Sequence, residues 1–229
     1  MLRELLHKRL QSVNVYMYLS EGSRDRNVIN DFRRRILIGS KGVLHIGAHE
    51  GQEANYYKDL GLRVMWVEAI PEKYKILKKR LLTFSEQKCV NALLGSQNQK
   101  NIKFFLSSND SQSSSIYDFG NQVQVKNLIM VDSIELEMKR LDACFTRKIV
   151  SNYPHWVVDV QGAELEVLKG AGKLLDNCYS LQVEVTSRDY YRNGAIAQEV
   201  IDFLGAKGFV NLQKHKIGYH EDLLFVRVS

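Results

Sequence analysis

The chain is poor in residues that build covalent or rigid frameworks, with 3 cysteines and 2 prolines in 229 residues. Cys89, Cys144 and Cys178 are odd in number and far apart, and no Cys-x-x-Cys pair occurs. That excludes a zinc ribbon and a dithiol redox motif, and leaves free thiols in a reducing cytoplasm as the expectation. Pro71 and Pro154 are too few for a proline-rich linker, and no internal repeat is found, so one large domain is expected over two. No apolar run approaches the ~18 residues needed to span a bilayer. The first stretch, MLRELLHKRLQSVNVYMYLS, sets Arg3, Lys8 and Arg9 among its leucines, unlike a secretory signal. Neither charge sign dominates: 32 basic against 26 acidic residues leave +6. That permits an anionic partner without requiring one.

What is present alternates. Residues 1–40 read as a helical extension. Leu2, Leu5, Leu6, Leu10 and Val13 recur at helical spacing, and a second helix runs from a cap at Ser23 through Val28, Ile29, Phe32 and Ile36. Arg33, Arg34 and Arg35 form a basic cluster there, read as a solvated face, with contact to an anionic substrate or partner as the alternative. Residues 41–229 form the main domain. Strands are expected at Val43–Ile46, Arg63–Glu68, Lys88–Leu94, His155–Val160 and Tyr179–Thr186. Helices are expected at Gly51–Leu60, Pro71–Leu82, Ala163–Leu175 and Ala195–Lys207. This alternation predicts a parallel sheet covered on both faces. The last two strand candidates, Phe209–Lys214 and Leu223–Val228, are too close for a crossover helix and should pair antiparallel. An insertion at about 96–150 carries the serine-rich stretch 107–115, read as a polar loop or a substrate-facing one. Within it, Met130–Met138 is expected to pair with Ile102–Leu106.

Two features carry chemistry. His45-Ile-Gly-Ala-His-Glu-Gly51 follows the first strand directly. Gly47 permits a sharp turn, and Gly51 opens the next helix, whose N–H groups favour an anionic group. Neither the Gly-x-Gly-x-x-Gly pyrophosphate cradle nor a P-loop is present. Glu68 ends the second strand, where an acid can accept hydrogen bonds from both ribose hydroxyls. Without a pyrophosphate motif and with a reversed final strand, S-adenosylmethionine fits better than NAD. His45 and His49 do not share a helical face and no His-Glu-x-x-His occurs, so no metal is expected.

The segments VLHIGAHEGQEA, VMWVEAIP and VVDVQGAELEVLKGA resemble the FkbM-type family of S-adenosylmethionine-dependent methyltransferases, from about Val43 to Val228. The stretch ending SQSSSIYDFG is also similar to the family. The resemblance implies a class I methyltransferase (Rossmann-like) fold: a three-layer sandwich on a mostly parallel seven-stranded sheet with one antiparallel strand near the C-terminus, here with N-terminal helices. It implies methyl transfer to hydroxyl oxygen, often on sugars or polyketide-derived alcohols. His45 and Gln161 stand where many members have Asp and Glu. By this resemblance Gly47, Ala48, His49 and Gly51 line the methionine end of the cofactor, with His45 beside them. Glu68 holds the ribose, and Asn91 and Ala92 edge the adenine. From the chemistry, since an alcohol must lose a proton as the methyl arrives, Asp159 is expected as the base or substrate anchor, with capping of the following helix as the alternative role and His49 as the rival base. Gln161, Glu164 and Glu184, with Ser113 and Ser114, face the acceptor.

Two other classes compete. A nucleic-acid methyltransferase would use Arg33–Arg35 and the face of Lys73, Lys75, Lys78, Lys79 and Arg80 as a phosphate track, although that spacing usually marks a solvated helix and aromatic interleaving is thin. A noncatalytic interaction module would keep the fold and fail to bind cofactor. The expected partner is a small hydroxyl acceptor or glycan, with residues 1–40 available to cover an apolar surface on a second subunit.

Overall fold

The computed structural model describes residues 26–120, 127–186, 190–213 and 220–228. The helix expected from Leu2 to Val13 and the cap at Ser23 lie outside them. The second expected helix is α1 (Arg26–Ser40). It leads into β1 (Gly42–Ile46), buried along its whole length. The pleat sends Val43 to one helical layer and Leu44 and Ile46 to the other, as a strand covered on both faces requires.

Helix α2 (Ala54–Asp59) starts later than the spacing suggests, because residues 51–53 form a turn. It stops at Gly61, whose φ of 67° and N–H bond to the Lys58 carbonyl cap it. β2 (Arg63–Glu68) is followed by α3 (Pro71–Arg80), which takes Pro71 in its first turn and Lys78, Lys79 and Arg80 in its last. The helix closes before Leu82 because Leu81–Thr83 tighten into a 3-10 turn. The expected third strand is two strands. β3 (Gln87–Asn91) pairs with β2, while β4 (Leu93–Gly95) leaves for a separate sheet.

That second sheet is the insertion. β5 (Gln99–Ser107) and β6 (Met130–Arg140) pair antiparallel, with Ile102 opposite Leu136, and β4 lies parallel to β6. Phe104, Leu93, Met138 and Ile70 bury its inner face. Two short helices, α4 (Leu141–Cys144) and α5 (Arg147–Val150), lead back to β7 (His155–Val158). Then come α6 (Glu164–Gly170), β8 (Ser180–Thr186), α7 (Ala197–Ala206), β9 (Phe209–Asn211) and β10 (His220–Arg227).

The main sheet runs β3-β2-β1-β7-β8-β10-β9, and β10 alone is reversed. Leu37, Val64, Trp66 and Leu77 fill one side of it, and Leu165, Leu168, Val200 and Leu204 the other. Trp66 and Trp156 are fully buried, and truncating either to alanine should cost about 3–5 kcal/mol. Chain order reverses between β1 and β7, so the carboxyl ends of β1, β2 and β7 meet at one switch point, where such sheets bind ligands. No helix among the described residues is long and apolar enough to cross a membrane.

Candidate functional site

The turn after β1 is wedged between its two neighbours. Gly47 N and Ala48 N both donate to the Val67 carbonyl at 3.0 Å, and Asp159 N donates to the Ile46 carbonyl at 3.0 Å. Gly47 has φ 89°, and a Cβ there would stand 1.6 Å from the Asp159 carbonyl oxygen. Only glycine closes this turn. Glu68, at the end of β2, is 5% exposed. Its carboxylate accepts from His49 N and Ile70 N, each at 2.7 Å. Burial outweighs these N–H donors and pushes its pKa up to about 7.

A second acid centre forms at the end of β7. Gln161 has φ 57° and turns its amide inward. Its Nε2 donates to Asp159 Oδ1 at 2.5 Å and to Glu184 Oε2 at 2.6 Å, and its Oε1 accepts from the Tyr191 hydroxyl at 2.6 Å. Glu164 Oε1 accepts from Val160 N and Gly162 N at 3.0 and 3.1 Å. Carboxylate oxygens of Asp159, Glu164 and Glu184 lie within 4.8 Å of one another. Burial, then the charge of Glu184, holds the Asp159 carboxyl well above the ordinary range. The same two causes, in that order, push Glu164 up to about 7. His220 Nδ1 stands 3.6 Å from Glu184 Oε1.

The serine-rich stretch closes over the space between these centres. His49 Nε2 lies 2.9 Å from the Asp110 carbonyl, and Lys73 Nζ donates to Asp110 Oδ1 at 2.7 Å and Glu50 Oε1 at 2.9 Å. Burial alone would lower the Lys73 pKa, but the two carboxylates outweigh it and hold it above its ordinary value. At the other end, Ser115 Oγ donates to the Gln161 carbonyl at 2.7 Å. Beneath lies a cavity of about 70 Å³, lined by Gly47, Glu68, Ala92, Asp159 and Gln161 together with the apolar side chains of Ile70, Leu93, Phe104 and Ile116.

The profile of the Methyltransferase FkbM domain family matches residues 45–211. The chain belongs to this family. It is an S-adenosylmethionine-dependent methyltransferase with the class I fold. Among curated proteins none matches. Solved structures similar to this FkbM domain include a putative tRNA methyltransferase from Streptococcus pneumoniae in complex with S-adenosyl-L-methionine (11% identity, 85% of this chain and 71% of that one, TM-score 0.46). Others are a precorrin-6y C5,15-methyltransferase from Geobacter metallireducens (10%, 92% and 95%, 0.45) and a putative RNA methyltransferase from Pyrococcus horikoshii (12%, 93% and 90%, 0.44).

The residues of this FkbM site suit the cofactor in kind. Glu68 is a buried carboxylate with lone pairs left for a diol, the Gly47 turn leaves room that a Cβ would fill, and Ile70, Leu93 and Phe104 form an apolar slot of the type an adenine ring enters. The serine-rich segment supplies Ser111, Gln112 and Ser114 to the lining, so it forms one boundary of the space a ligand would enter.

Of the residues singled out in the sequence, Gly47, His49, Glu68, Ala92, Ser114, Asp159 and Gln161 line the cavity. Glu164 and Glu184 stand beside it, and the Ser113 carbonyl lies 3.2 Å from the Tyr191 hydroxyl. Four others do not line it. His45 points to the opposite face, with Nδ1 3.1 Å from the Tyr57 hydroxyl and its ring stacked 4.6 Å from Trp66. Burial pushes its pKa down to about 3, so it is neutral. Ala48 packs in the core, and Gly51 turns where a Cβ would meet Leu77 at 2.6 Å. Asn91 spends its amide on the carbonyls of Glu68 and Ala69, at 2.8 and 3.0 Å. Lys73 is no part of a solvated basic face; it is buried and paired. The apolar wall from the insertion and the Tyr191 clamp escaped the sequence reading, since ordinary apolar and aromatic residues carry no motif.

Proposed function

We propose that this chain, through residues 41–229, transfers a methyl group to a hydroxyl oxygen of a sugar, glycan or other small alcohol. The observation that supports the reading is the pair Asp159 and Gln161 at the wall of the cofactor cavity, with Glu184 held behind them by the same Gln161 amide. Bound S-adenosylmethionine supplies an activated sulfonium methyl, whose S–C bond breaks, leaving its electron pair on sulfur, as the O–C bond forms.

An alcohol is a weak acid, so its proton leaves late and needs an acceptor close by. Asp159 is that acceptor in this reading. Its raised pKa makes the ionised carboxylate a stronger base than an exposed one. Gln161 fixes the Asp159 oxygen by donating to it, and Glu184 shares the same amide and opens toward His220. Glu68 orients the ribose, and His49, committed to the Asp110 carbonyl, serves the lid rather than the proton transfer. Holding oxygen and methyl in line lowers the barrier by several kcal/mol.

The test is methyl transfer from labelled S-adenosylmethionine to a panel of sugars and simple alcohols, with products analysed by mass spectrometry. An alkali-stable methyl ether that Asp159→Asn fails to form supports the reading. Methylation at nitrogen, or undiminished turnover in folded Asp159→Asn, contradicts it.

A further inference from the structure

A second, larger cleft lies on the α1 side of the sheet. It has a volume of about 390 Å³, with α1 and α2 as walls and β1, β7, β8 and β10 as floor. Among the described residues, Asp159 alone borders both this cleft and the cofactor cavity. A group entering here therefore reaches the proposed base from the side opposite the serine-rich lid.

The walls of the cleft are not those of a structural void. Arg33 donates through Nη2 to the Asp222 carbonyl at 3.2 Å and sits 3.9 Å from Asp222 Oδ2. Its Nε is buried and has no hydrogen-bond partner. A buried guanidinium N–H without an acceptor is costly, and the rest of the Arg33 side chain, 22% exposed, lines the cleft. Arg34, the next residue on α1, is exposed and lines the same cleft, with no ion pair among the described residues. A guanidinium fork suits carboxylate or phosphate oxygens. Gln182 and Asp222 add an amide and a carboxyl, and Tyr56, 44% exposed, adds an aromatic face. The carboxyls in the cleft oppose a polyanion. They suit a molecule with one acidic group and several hydroxyls.

We propose that this cleft is the acceptor site, and that it takes a hydroxylated molecule bearing one carboxylate or phosphate. The acidic group sits on Arg33 and Arg34, and a hydroxyl reaches Asp159. This rests on the methyl-transfer reading of the cofactor cavity. It also changes the place of the acceptor, from the side of Ser113 and Ser114 to the side of α1.

The experiment is calorimetric titration of the full chain, saturated with S-adenosylhomocysteine, with D-glucuronate, glucose 6-phosphate and D-glucose. The expected result is binding of at least one acidic sugar and about tenfold weaker binding of glucose, the size of one charge-assisted pair. The relative strength of the two acidic probes separates carboxylate from phosphate. Arg34→Glu, at an exposed position, and Arg33→Gln should each weaken the acidic sugar about tenfold and leave S-adenosylhomocysteine affinity unchanged. Equal binding of glucose, no binding of either acidic sugar, or full binding by Arg34→Glu overturns the proposal. A loss of S-adenosylhomocysteine affinity in Arg34→Glu overturns it too, by giving the cleft to the amino-acid end of the cofactor. If the unmodified chain binds no S-adenosylhomocysteine, the methyl-transfer reading fails instead. The acidic-sugar titration repeated without it then decides the cleft.

Discussion

Asp159 and Glu184 face one another across a single amide nitrogen, that of Gln161, which lies 2.5 Å from one carboxylate and 2.6 Å from the other. Two carboxylates this close ionise together only at a cost, and in a buried site the cost appears as a raised pKa. The amide eases it for one nitrogen's worth of hydrogen bonding and fixes both oxygens in place. Tyr191 in turn fixes the amide, since its hydroxyl occupies Gln161 Oε1.

That relationship predicts a pH profile. Turnover should rise with pH as Asp159 ionises. Glu184→Gln removes the neighbouring negative charge, so Asp159 should ionise more easily and the rising limb should move to lower pH. Asp159→Asn should lower kcat by about 10²–10⁴-fold without altering S-adenosylhomocysteine affinity. A limb that stays in place in Glu184→Gln would separate the two carboxyls.

Glu164 makes a stability prediction. Its pKa is raised from an ordinary 4.5 to about 7, with burial the first cause. A raised carboxyl contributes stability fully below its unfolded value, and that stability is lost as pH rises through the folded value. Glu164→Gln keeps an oxygen for the N–H groups of Val160 and Gly162 and cannot ionise. The unmodified chain should therefore lose up to about 3 kcal/mol between pH 5 and 8 that Glu164→Gln retains. Thermal unfolding of both across that range checks it.

The lid rests on Asp110, which ties to Lys73 through its carboxylate and to His49 through its carbonyl. Asp110→Ala should remove the ion pair at an exposed position and leave the fold intact. Dissociation of S-adenosylhomocysteine should then be several-fold faster, measured by stopped-flow. An unchanged rate would mean that the serine-rich segment does not gate the cavity.

The acid cluster invites a cation, yet one oxygen of each carboxylate already accepts a hydrogen bond: Gln161 serves Asp159 and Glu184, and two backbone N–H groups serve Glu164. Turnover should be unaltered in excess EDTA. Loss restored by Mg²⁺ or Mn²⁺ would make Asp159, Glu164 and Glu184 metal ligands.

Much of this was legible in the residues, for reasons that differ by element. β1, β2 and β7 announce themselves as apolar runs ended by Gly47, Glu68 and Asp159, because a doubly covered strand has few polar positions to blur it. The reversed β10 follows from chain length alone, since too few residues separate it from β9 for a crossover. The break at Ala92 was not legible. Lys88–Leu94 reads as one strand, and only the partner β6, more than thirty residues on, takes Leu93 away from the main sheet. His45 shows the other failure. Its place in the glycine turn suggests a cofactor contact, but strand alternation turns its ring to the opposite face, against Trp66. Lys73 reads as solvent-facing by spacing and is buried by a loop the spacing does not include.

Glu68 carries the central claim, because it joins a strand end, a buried carboxylate and the cavity wall. Calorimetric titration of the full chain with S-adenosylhomocysteine, beside Glu68→Ala, tests it most directly. The account predicts micromolar binding that weakens as pH falls below about 7, where Glu68 protonates, and that is lost in Glu68→Ala. Equal affinity in the folded variant, or no binding by the folded unmodified chain, would contradict it.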